Sequence, residues 1–311
     1  MTLQQLKYAL AVAKYGSVSL AARHLFVSQP SVTEALSMLE GEIQKTLFVR
    51  SPRGMKPTDE GRKFLGYARQ VVEQMRLLED RYSGESGRQY FSVSTQHYTF
   101  VASAFVELAK KYGGDGYEFS LLEERTGKVI ENVRNLKSEI GVIYISRANE
   151  KVLRKLLKES RLVFSPLFLA RPHVFLFRKH PLAKRASVGF ADLEDFPCVT
   201  FDQGEENSFY FAEEIGNERP MQKRILVTDR AAVVNFLMAL DAYIVTTGVL
   251  PSYLHGRDVV AVPLDADEPM TVGTIRHADR RLSELGHAFM ASLEETVVRM
   301  RLTKPDQGTI G

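Results

Sequence analysis

The N-terminal part of the chain alternates apolar and polar positions with a helical period. A first helix is predicted over residues 2–15, and a second, shorter helix begins at Ser17 or Ser19 and runs to Leu25. A serine at that place can cap the helix, because its side-chain oxygen accepts from a backbone N–H that has no partner within the helix. The apolar stripe of the first helix consists of Leu3, Leu6, Leu10 and Ala13.

A third helix is predicted after a tight turn. Ser28 is the preferred N-cap, with Pro30 in the first turn, although Ser31 and Glu34 form an alternative capping box one turn later. Apolar residues then recur every three or four positions as far as Ile43, which defines the buried stripe. The opposite face is short and polar and contains Ser28, Gln29, Pro30, Ser31, Thr33, Glu34 and Ser37.

Two short helices joined by a tight turn are typical of a helix-turn-helix DNA reader. The N-terminal end of the second of these helices reads base edges in the major groove through side-chain donors and acceptors. The polar face of the third helix supplies such groups, so we expect it to bind DNA. An ordinary solvated helix face is the alternative interpretation.

Two short extended segments between Leu47 and Thr58, around Pro52-Arg53-Gly54, predict a wing. We expect Arg50, Arg53 and Lys56 to contact phosphates or the minor groove, a role that fixes position on the duplex without reading much sequence. The alternative is a solvated basic loop.

The stretch from Gly16 to Ser31 has the pattern Gly-Ser-x-x-x-Ala-Ala-x-x-Leu-x-x-Ser-Gln-Pro-Ser, and Leu39-Glu40 and Leu47-Phe48-Val49-Arg50 follow it. These residues closely resemble the N-terminal domain of LysR-type bacterial transcriptional regulators, and a looser resemblance covers the whole chain. Gln44 stands where that family usually has glycine, and Thr33-Glu34 replaces the more usual serine followed by arginine or glutamine. Because Glu34 can accept from a cytosine amino group, the operator sequence of relatives does not transfer to this chain.

A long helix is predicted from Thr58, its N-cap, to about Tyr82. Its apolar positions are separated by 4, 3, 4, 3 and 4 residues, which is a heptad seam, and the rest of the helix is charged. So narrow a stripe favours one partner helix, and we predict a dimer; packing against the chain's own second domain is the alternative. The seam comprises Phe64, Ala68, Val71, Met75, Leu78 and Tyr82.

From Tyr90 onwards, short apolar strands alternate with amphipathic helices in two sets. This alternation predicts parallel sheets covered by helices, arranged as two α/β lobes with a cleft between them. One of the helices is predicted to begin near Asn207. The two-lobed part resembles the LysR-type effector domain, which shares its architecture with periplasmic solute-binding proteins.

The predicted fold class is therefore α+β and multidomain. A winged helix-turn-helix (1–58), a coiled-coil linker helix (59–87, ending in a flexible joint) and a two-lobed α/β effector domain (88–300) precede a flexible tail (301–311). Within the effector domain, lobe one is predicted to comprise about 88–164 and 267–300, and lobe two about 165–266.

In open parallel sheets, ligands lie beyond the carboxyl ends of the strands. Helix N-termini near Thr99 and Ser208 can receive a carboxylate, and Asp202 or Glu205 an ammonium group, so the predicted effector is a small polar molecule such as an amino acid or a derivative. The loop 96–99 also resembles that of relatives that control cysteine and methionine metabolism. The alternative role for each residue is a local helix cap or an ordinary loop contact. The predicted effector residues are Gln96, His97, Tyr98, Thr99, Ser146, Thr200, Asp202, Gln203, Glu205, Ser208, Thr246 and Thr247.

Composition and charge narrow the function further. Of 311 residues, 44% are hydrophobic and 25% charged, which is typical of a soluble globular protein. Residues 1–90 carry 13 Lys and Arg against 9 Asp and Glu, whereas the remainder carries 28 against 29, so the basic surplus lies with the predicted DNA reader. The single cysteine, Cys198, excludes an internal disulfide. The absence of a secretion signal or a membrane-spanning run predicts a cytoplasmic protein with no membrane partner.

The chain contains no nucleotide-binding, hydrolase or metalloprotease motif, so we expect neither enzyme activity, nor a cofactor, nor a metal ion. The predicted partners are double-stranded promoter DNA, a small-molecule effector, further copies of the chain as a dimer or tetramer, and RNA polymerase. The alternative functions are a solute-binding or enzyme-like α/β protein with a vestigial helix-turn-helix, and an architectural DNA binder.

Overall fold

The computed structural model describes residues 1–51, 54–82, 89–114, 116–204, 209–217, 219–249, 258–266 and 269–300. Contacts divide the chain into two units, Met1–Gly87 and Arg88–Gly311. Several predictions fall outside the described residues: Arg53, Glu205, Ser208, the side chain of Tyr82, the joint at 83–87, the helix start near Asn207 and the tail 301–311.

The N-terminal unit contains four helices and one hairpin. In chain order they are α1 (Leu3–Tyr15), α2 (Val18–His24), α3 (Gln29–Ile43), β1 (Phe48–Ser51), β2 (Gly54–Pro57) and α4 (Asp59–Tyr82). The predicted caps are confirmed: Ser17 accepts from the Leu20 amide, Ser28 from the Ser31 amide and Thr58 from the Gly61 amide.

One hydrophobic core joins α1, α2 and α3, and it includes the predicted stripe residues Val32, Leu36 and Leu39. Hydrogen bonds from backbone amides attach the hairpin to the helices. The Glu40 carboxylate of α3 accepts from the Leu47 and Phe48 amides at 2.5 and 3.1 Å. At the hairpin's other end, the Met55 amide donates to the Gly16 carbonyl at 2.7 Å. A side chain at Gly54 would place Cβ 2.3 Å from that carbonyl oxygen, so only glycine permits this approach.

Two turns of this unit place large residues in left-handed backbone. Gln44 ends α3 with φ 55°, and Phe26 lies between α2 and α3 with φ 55°. Glycine adopts this conformation without steric cost, which explains physically why a glycine at position 44 would be favourable.

The second unit begins with its first lobe: β3 (Gln89–Thr95), α5 (Thr99–Tyr112), β4 (Tyr117–Glu123), α6 (Thr126–Arg134), β5 (Ile140–Ile145), α7 (Glu150–Glu159) and β6 (Leu162–Ala170). The second lobe follows with β7 (His173–Phe177), β8 (Cys198–Phe201), β9 (Arg224–Val227), α8 (Arg230–Ala239), β10 (Ile244–Thr246) and β11 (Val259–Pro263). The chain then returns through β12 (Met270–His277) and α9 (Glu284–Arg299) to the first lobe.

The first-lobe sheet has the order β4-β3-β5-β12-β6 and is mixed. Strand β3 pairs in parallel with β4 and β5, as predicted, but β12 is antiparallel to both β5 and β6. The expectation of a wholly parallel sheet was therefore wrong, because β12 is the strand by which the chain returns from the second lobe. Strand β6 belongs to this sheet as far as Ala170, so the chain enters the second lobe after that residue rather than at 165.

The second lobe contains an antiparallel sheet of order β10-β7-β11 and a parallel pair, β8 and β9. In place of the helix predicted from about Asn207, the described residues show one short 3-10 turn, Phe209–Phe211. The Phe211 carbonyl accepts from the Thr126 hydroxyl of the first lobe at 2.7 Å, so the end of this turn bonds across the cleft instead of continuing a helix. Among the described helices, none is long and apolar enough to cross a membrane.

Candidate nucleic-acid interface and ligand cleft

The N-terminal end of α3 presents a polar face. All seven residues predicted to bind DNA on this helix are exposed, while Val32, Leu36 and Leu39 on the other side are buried. The exposed residues are Ser28, Gln29, Pro30, Ser31, Thr33, Glu34 and Ser37. The 3.6-residue period thus separates a core face from a face that a ligand can reach.

Local hydrogen bonds hold part of this polar face in position. The Ser19 hydroxyl of α2 donates to the Gln29 side-chain oxygen at 2.6 Å, which links the two helices of the motif. The Thr33 hydroxyl donates to the Gln29 carbonyl at 3.1 Å, and the Ser28 and Ser31 hydroxyls are 2.7 Å apart. Gln29 therefore keeps its amide N–H groups available as donors while its oxygen is anchored.

The hairpin adds basic groups to the same unit. Arg50 on β1 and Lys56 on β2 are both exposed, and their strands pair antiparallel with Arg50 opposite Met55 and Lys56 opposite Val49. The guanidinium and ammonium groups are thus carried on two paired strands, which suits contact with phosphates.

Phe26 was missed in the sequence analysis. Its residue surface is 95% exposed and its backbone is left-handed, although a bulky side chain disfavours both conditions. It immediately precedes the N-terminal end of α3, beside Ser28 and Gln29. The sequence signal for an exposed Phe26 was its position in the turn between the two helices of the motif, where the core offers no space for a large side chain.

The predicted seam on α4 is divided in the structure. Phe64 packs against the core of its own unit and Ala68 is buried, because the first half of α4 lies against α1. Further along, Val71 and Leu78 are 51% and 52% exposed, and Met75 is half-buried. Among the described seam side chains, Val71 and Leu78 are therefore the most accessible to a second helix, while Phe64 and Ala68 have contacts within their own unit.

In the second unit, loops from both lobes meet in a cleft centred on His97. Its ring Nδ1 lies 2.9 Å from Oε2 of Glu213, its backbone N–H donates to the same oxygen at 2.9 Å, and its ring stacks on Phe201 with centroids 3.8 Å apart. The two side chains of this ion pair are only 5% and 3% exposed. Lobe one and lobe two are thus joined by a buried pair of groups.

Further polar contacts cross the cleft around this pair. Arg125 and Asp202 are 2.7 Å apart, and Arg230 is paired with Glu123 at 2.5 Å. The Thr126 amide donates to the Gln203 side-chain oxygen at 3.2 Å. These contacts describe a closed cleft whose walls bond to each other.

The cleft contains two adjoining cavities. We call the first the apolar cavity: it has a volume of about 60 Å³ and is lined by Phe175, Phe201, Val233, Leu237, Ile244 and Val245, with His97, Glu213, Glu214 and Arg230 as its charged lining. We call the second the polar cavity: it has a volume of about 720 Å³ and is lined by groups that include Glu123, Arg125, Lys128, Glu131, Asp202 and Gln203. The polar cavity falls within the size range of small-molecule sites.

The predicted effector residues are divided among these places. His97, Tyr98, Thr99, Thr246 and Thr247 line the apolar cavity, and His97, Asp202 and Gln203 line the polar cavity. Three others have interior partners instead. Gln96 accepts from the Tyr98 hydroxyl and the Tyr144 amide, the Ser146 amide donates to Asn149, and Thr200 accepts from Arg224.

The charged residues of the cleft were mostly missed. Arg125 and Arg230 lie shortly after β4 and β9, so the rule that ligands lie after strands reaches them, although they were not among the predicted residues. Glu213 and Glu214 do not follow a strand among the described residues, so that rule does not reach them. The sequence signal for Glu213 and Glu214 was their position after the apolar Phe209-Tyr210-Phe211. Glutamates are rarely buried beside apolar residues unless they are paired with another group.

Burial and neighbouring charge shift two protonation equilibria here. Burial, reinforced by the Glu213 charge, raises the pKa of Glu214 to about 8. Burial lowers the pKa of His97, but the hydrogen bond and charge of Glu213 outweigh that effect and the net pKa is raised. Near neutral pH, Glu214 is therefore mostly a neutral acid, and the His97–Glu213 contact favours the charged imidazolium.

Within the described ranges, no group of three or more His, Cys, Asp or Glu side chains is placed to hold a metal ion. Cys198 is buried and its thiol pKa is raised to about 12 by burial, so it is a poor nucleophile. The chemistry available in the cleft is hydrogen bonding and ion pairing.

Comparisons with known proteins agree with this arrangement. Residues 3–62 match the model of bacterial regulatory helix-turn-helix proteins of the lysR family, and residues 91–297 match the LysR substrate binding domain. The uncharacterized HTH-type transcriptional regulator YvbU of Bacillus subtilis is 26% identical over 215 residues, which are 67% of this chain and 69% of YvbU.

Solved structures show the same fold. Full-length CbnR in complex with its target DNA is 19% identical, with a TM-score of 0.59 over 96% of this chain and 100% of CbnR. A full-length OxyR variant from Pseudomonas aeruginosa is 17% identical, with a TM-score of 0.59 over 94% of this chain and 98% of OxyR. The two family models together cover nearly all of the described residues, and the matched relatives are transcriptional regulators rather than enzymes. The chain therefore belongs to the LysR family of DNA-binding transcriptional regulators, with an N-terminal helix-turn-helix and a C-terminal effector-binding domain.

Proposed function

We propose that the chain is a ligand-responsive regulator that reads promoter DNA with the N-terminal half of α3. The exposed polar face of α3, opposite a complete core, is the observation that carries this proposal. Ser28, Gln29, Pro30, Ser31, Thr33, Glu34 and Ser37 are the proposed contacts, and Phe26 is added to them by its exposure at the same end of the helix. Gln29 is the strongest base reader of the set, because its N–H groups are free to donate and its side-chain oxygen keeps a second lone pair, so the amide can bond adenine at both N7 and N6.

Arg50 and Lys56 are proposed to contact the sugar-phosphate backbone, together with Arg53 of the same hairpin. Backbone contacts raise affinity for any duplex and make it salt-dependent. The start of β1 is attached to α3 through Glu40, which supports a fixed relation between Arg50 on that strand and the base-reading face.

The chain is further proposed to act as a dimer through α4, with Val71, Met75, Leu78 and Tyr82 as the intermolecular part of the seam. The exposure of Val71 and Leu78 on a helix of 24 residues supports this proposal. Such a helix is roughly 36 Å long, which matches the 34–36 Å between successive major grooves. The family resemblance further implies that two such dimers assemble into a tetramer.

The two-lobed cleft is proposed to bind a small amino-acid-like metabolite. Tyr98 precedes α5 and provides no side-chain cap, so the N-terminus of this 14-residue helix has amides available for a carboxylate. The resemblance of loop 96–99 to regulators of sulfur amino-acid metabolism makes O-acetylserine and homocysteine the first ligands to test.

The contacts across the cleft suggest how a ligand would act. A molecule that replaces His97 at Glu213, or Arg125 at Asp202, exchanges lobe-to-lobe bonds for lobe-to-ligand bonds. It thereby favours one lobe arrangement over another, and such differential binding can change assembly and DNA affinity. We propose that this change is transmitted to RNA polymerase at promoters. We also propose that the protein acts in the cytoplasm.

Selection of genomic fragments by the purified full-length protein, followed by footprinting, tests the proposal. The expected result is a small set of enriched fragments with protected half-sites about one helical turn apart. Equal recovery of all fragments, with no protected segment, would contradict sequence-specific regulation.

A further inference from the structure

The carboxyl group of Glu214 is buried, and only one of its two oxygens has a hydrogen-bond partner among the described residues. The residue is 3% exposed and lines the apolar cavity. Its Oε1 accepts from the Phe201 amide at 2.9 Å, whereas Oε2 has no hydrogen-bond partner among the described residues. Buried polar atoms without partners are rare in folded proteins, and such an atom beside a cavity is a place for a ligand.

The cations near Glu214 are already engaged. His97 pairs with Glu213, Arg230 with Glu123, and Arg224 donates to the Thr200 hydroxyl. Several titratable or charged groups lie near Glu214 and influence its protonation or line the same cavity. They are Glu213 from the same segment, His97 and Tyr98 from the first lobe, Cys198 on β8, Arg224 on β9 and Arg230 on α8. Two glutamates therefore lie side by side, and among the described residues only Glu213 has a cationic side chain in direct contact.

The rest of the cavity wall is hydrocarbon. Phe175, Val233, Leu237 and Ile244 line it, and Leu237 is almost completely buried. One water needs about 10–15 Å³ of such volume, so a cavity of about 60 Å³ receives about four to six non-hydrogen atoms. A ligand that fits this cavity combines a short apolar chain with one group that satisfies Glu214.

We propose that the apolar cavity binds a small aliphatic primary amine, or the amine-bearing end of a larger effector, with its ammonium group at Glu214. This inference rests on the proposed function, in which the cleft is the effector site, and it assigns the ammonium to Glu214 rather than to Asp202. Asp202 already has Arg125 as its cation, which leaves less negative charge there for a ligand.

Proton release accompanies this binding. Glu214 is mostly protonated near pH 7, because burial and Glu213 raise its pKa to about 8. An ammonium group in contact stabilises the carboxylate form, so Glu214 gives up its proton to the buffer as the amine binds.

Calorimetric titration of the full-length protein tests the proposal with three matched probes: 2-methylpropylamine, 2-methylpropan-1-ol and 2-methylpropanoate. They share one hydrocarbon body and differ in the polar group. The amine is expected to bind about tenfold or more tightly than the alcohol, since a charge-assisted hydrogen bond replaces a neutral one. Its heat should vary with the ionisation enthalpy of the buffer, which reports the released proton.

Glu214→Gln is the diagnostic variant, because it keeps the acceptor for the Phe201 amide but cannot ionise. It should fold normally by circular dichroism and lose both the amine preference and the buffer dependence. Glu194→Gln, the same change at an exposed position of the second lobe, should behave like the wild type.

Equal or tighter binding of the alcohol or the carboxylate would overturn the proposal, as would the absence of heat with all three probes. Retention of the amine preference in Glu214→Gln would also overturn it. Sequence-specific DNA binding measured on the same preparation is independent of these results, so failure of the amine assignment is distinguishable from failure of the proposed function.

Discussion

The two units of this protein expose their functional residues in opposite ways. In the N-terminal unit, the proposed DNA-binding side chains of α3 are exposed, and their hydrogen bonds are local, as between Ser28 and Ser31. In the second unit, the central pair of the cleft is buried and bonded across a long sequence separation: the side chains of His97 and Glu213 are 5% and 3% exposed, and the two residues are 116 positions apart. The first site is therefore a preformed surface, whereas the second must exchange internal bonds for those of a ligand.

The largest expected effect concerns the preformed surface. Gln29→Ala should weaken binding to the selected operator by about 1–3 kcal/mol, while binding to unrelated duplex changes little, because a base contact is lost. Fluorescence anisotropy with both duplexes measures the two affinities. Gln4→Ala, an exposed glutamine on α1 away from this face, should leave both unchanged. An equal loss on both duplexes would show that Gln29 does not read sequence.

Phe26 extends the same surface into the turn. Phe26→Ala should reduce operator affinity by about 1 kcal/mol, because the ring is available for apolar contact with a thymine methyl group. The thermal midpoint should not fall, since a side chain that is 95% exposed supports no core. Unchanged operator affinity would exclude Phe26 from the DNA interface.

Arg50→Ala separates phosphate contact from base reading. It should weaken binding to every sequence by a similar factor and reduce the slope of log K against log salt concentration by about 1. Titrations at several salt concentrations, on operator and on unrelated duplex, give that slope. A loss confined to the operator would instead make Arg50 a base reader.

The buried site should respond to pH where the exposed site does not. The pKa of Glu214 is raised from an ordinary 4.5 to about 8, so the folded state binds a proton that the unfolded state releases across that interval. Wild-type stability therefore falls as pH rises from 4.5 to 8, and Glu214→Gln should not show this loss. In thermal melts at pH 8, the Tm of the variant should be about 2–4 °C or more above that of the wild type, which corresponds to about 1 kcal/mol in the free energy of unfolding. At pH 5 the two Tm values should differ little. The reverse order at pH 8 would contradict a neutral buried Glu214.

The smallest expected effect on stability concerns the backbone conformation of Gln44. Gln44 ends α3 in left-handed backbone, so Gln44→Gly should stabilise the N-terminal unit by about 0.5–1 kcal/mol, the relief of strain exceeding the added entropy of the unfolded chain. Denaturant unfolding measures the change. Gln74→Gly, within the α4 helix, should destabilise by about 1 kcal/mol because glycine is a poor helix former there. Loss of stability in Gln44→Gly would show that the Gln44 side chain makes a stabilising contact.

The same contrast explains which features could be predicted from the sequence. The exposed face of α3 follows from a 3.6-residue period that needs only neighbouring residues, and the caps at Ser17, Ser28 and Thr58 are local as well. The direction of β12 depends on where the chain goes between Ala170 and Met270, which no local pattern contains. Glu213 and Glu214 became visible only once the fold placed them beside His97 and Phe201, because their partners are distant in sequence.

The seam on α4 shows what a heptad pattern leaves open. A heptad pattern states that one face is apolar, but not which partner covers it. Within the N-terminal unit, Ala68 is buried and Phe64 packs against the core, whereas Val71 and Leu78 are exposed. The pairing of this face with a second copy stays a prediction.

The most direct test of the account is the ratio of affinities of the full-length protein for a selected genomic fragment and for a scrambled duplex of equal length and composition, at moderate ionic strength. For the wild type we expect a ratio on the order of a thousand or more, falling by about five- to 150-fold in Gln29→Ala. A ratio near one for the wild type, with any of the candidate ligands present or absent, would contradict it.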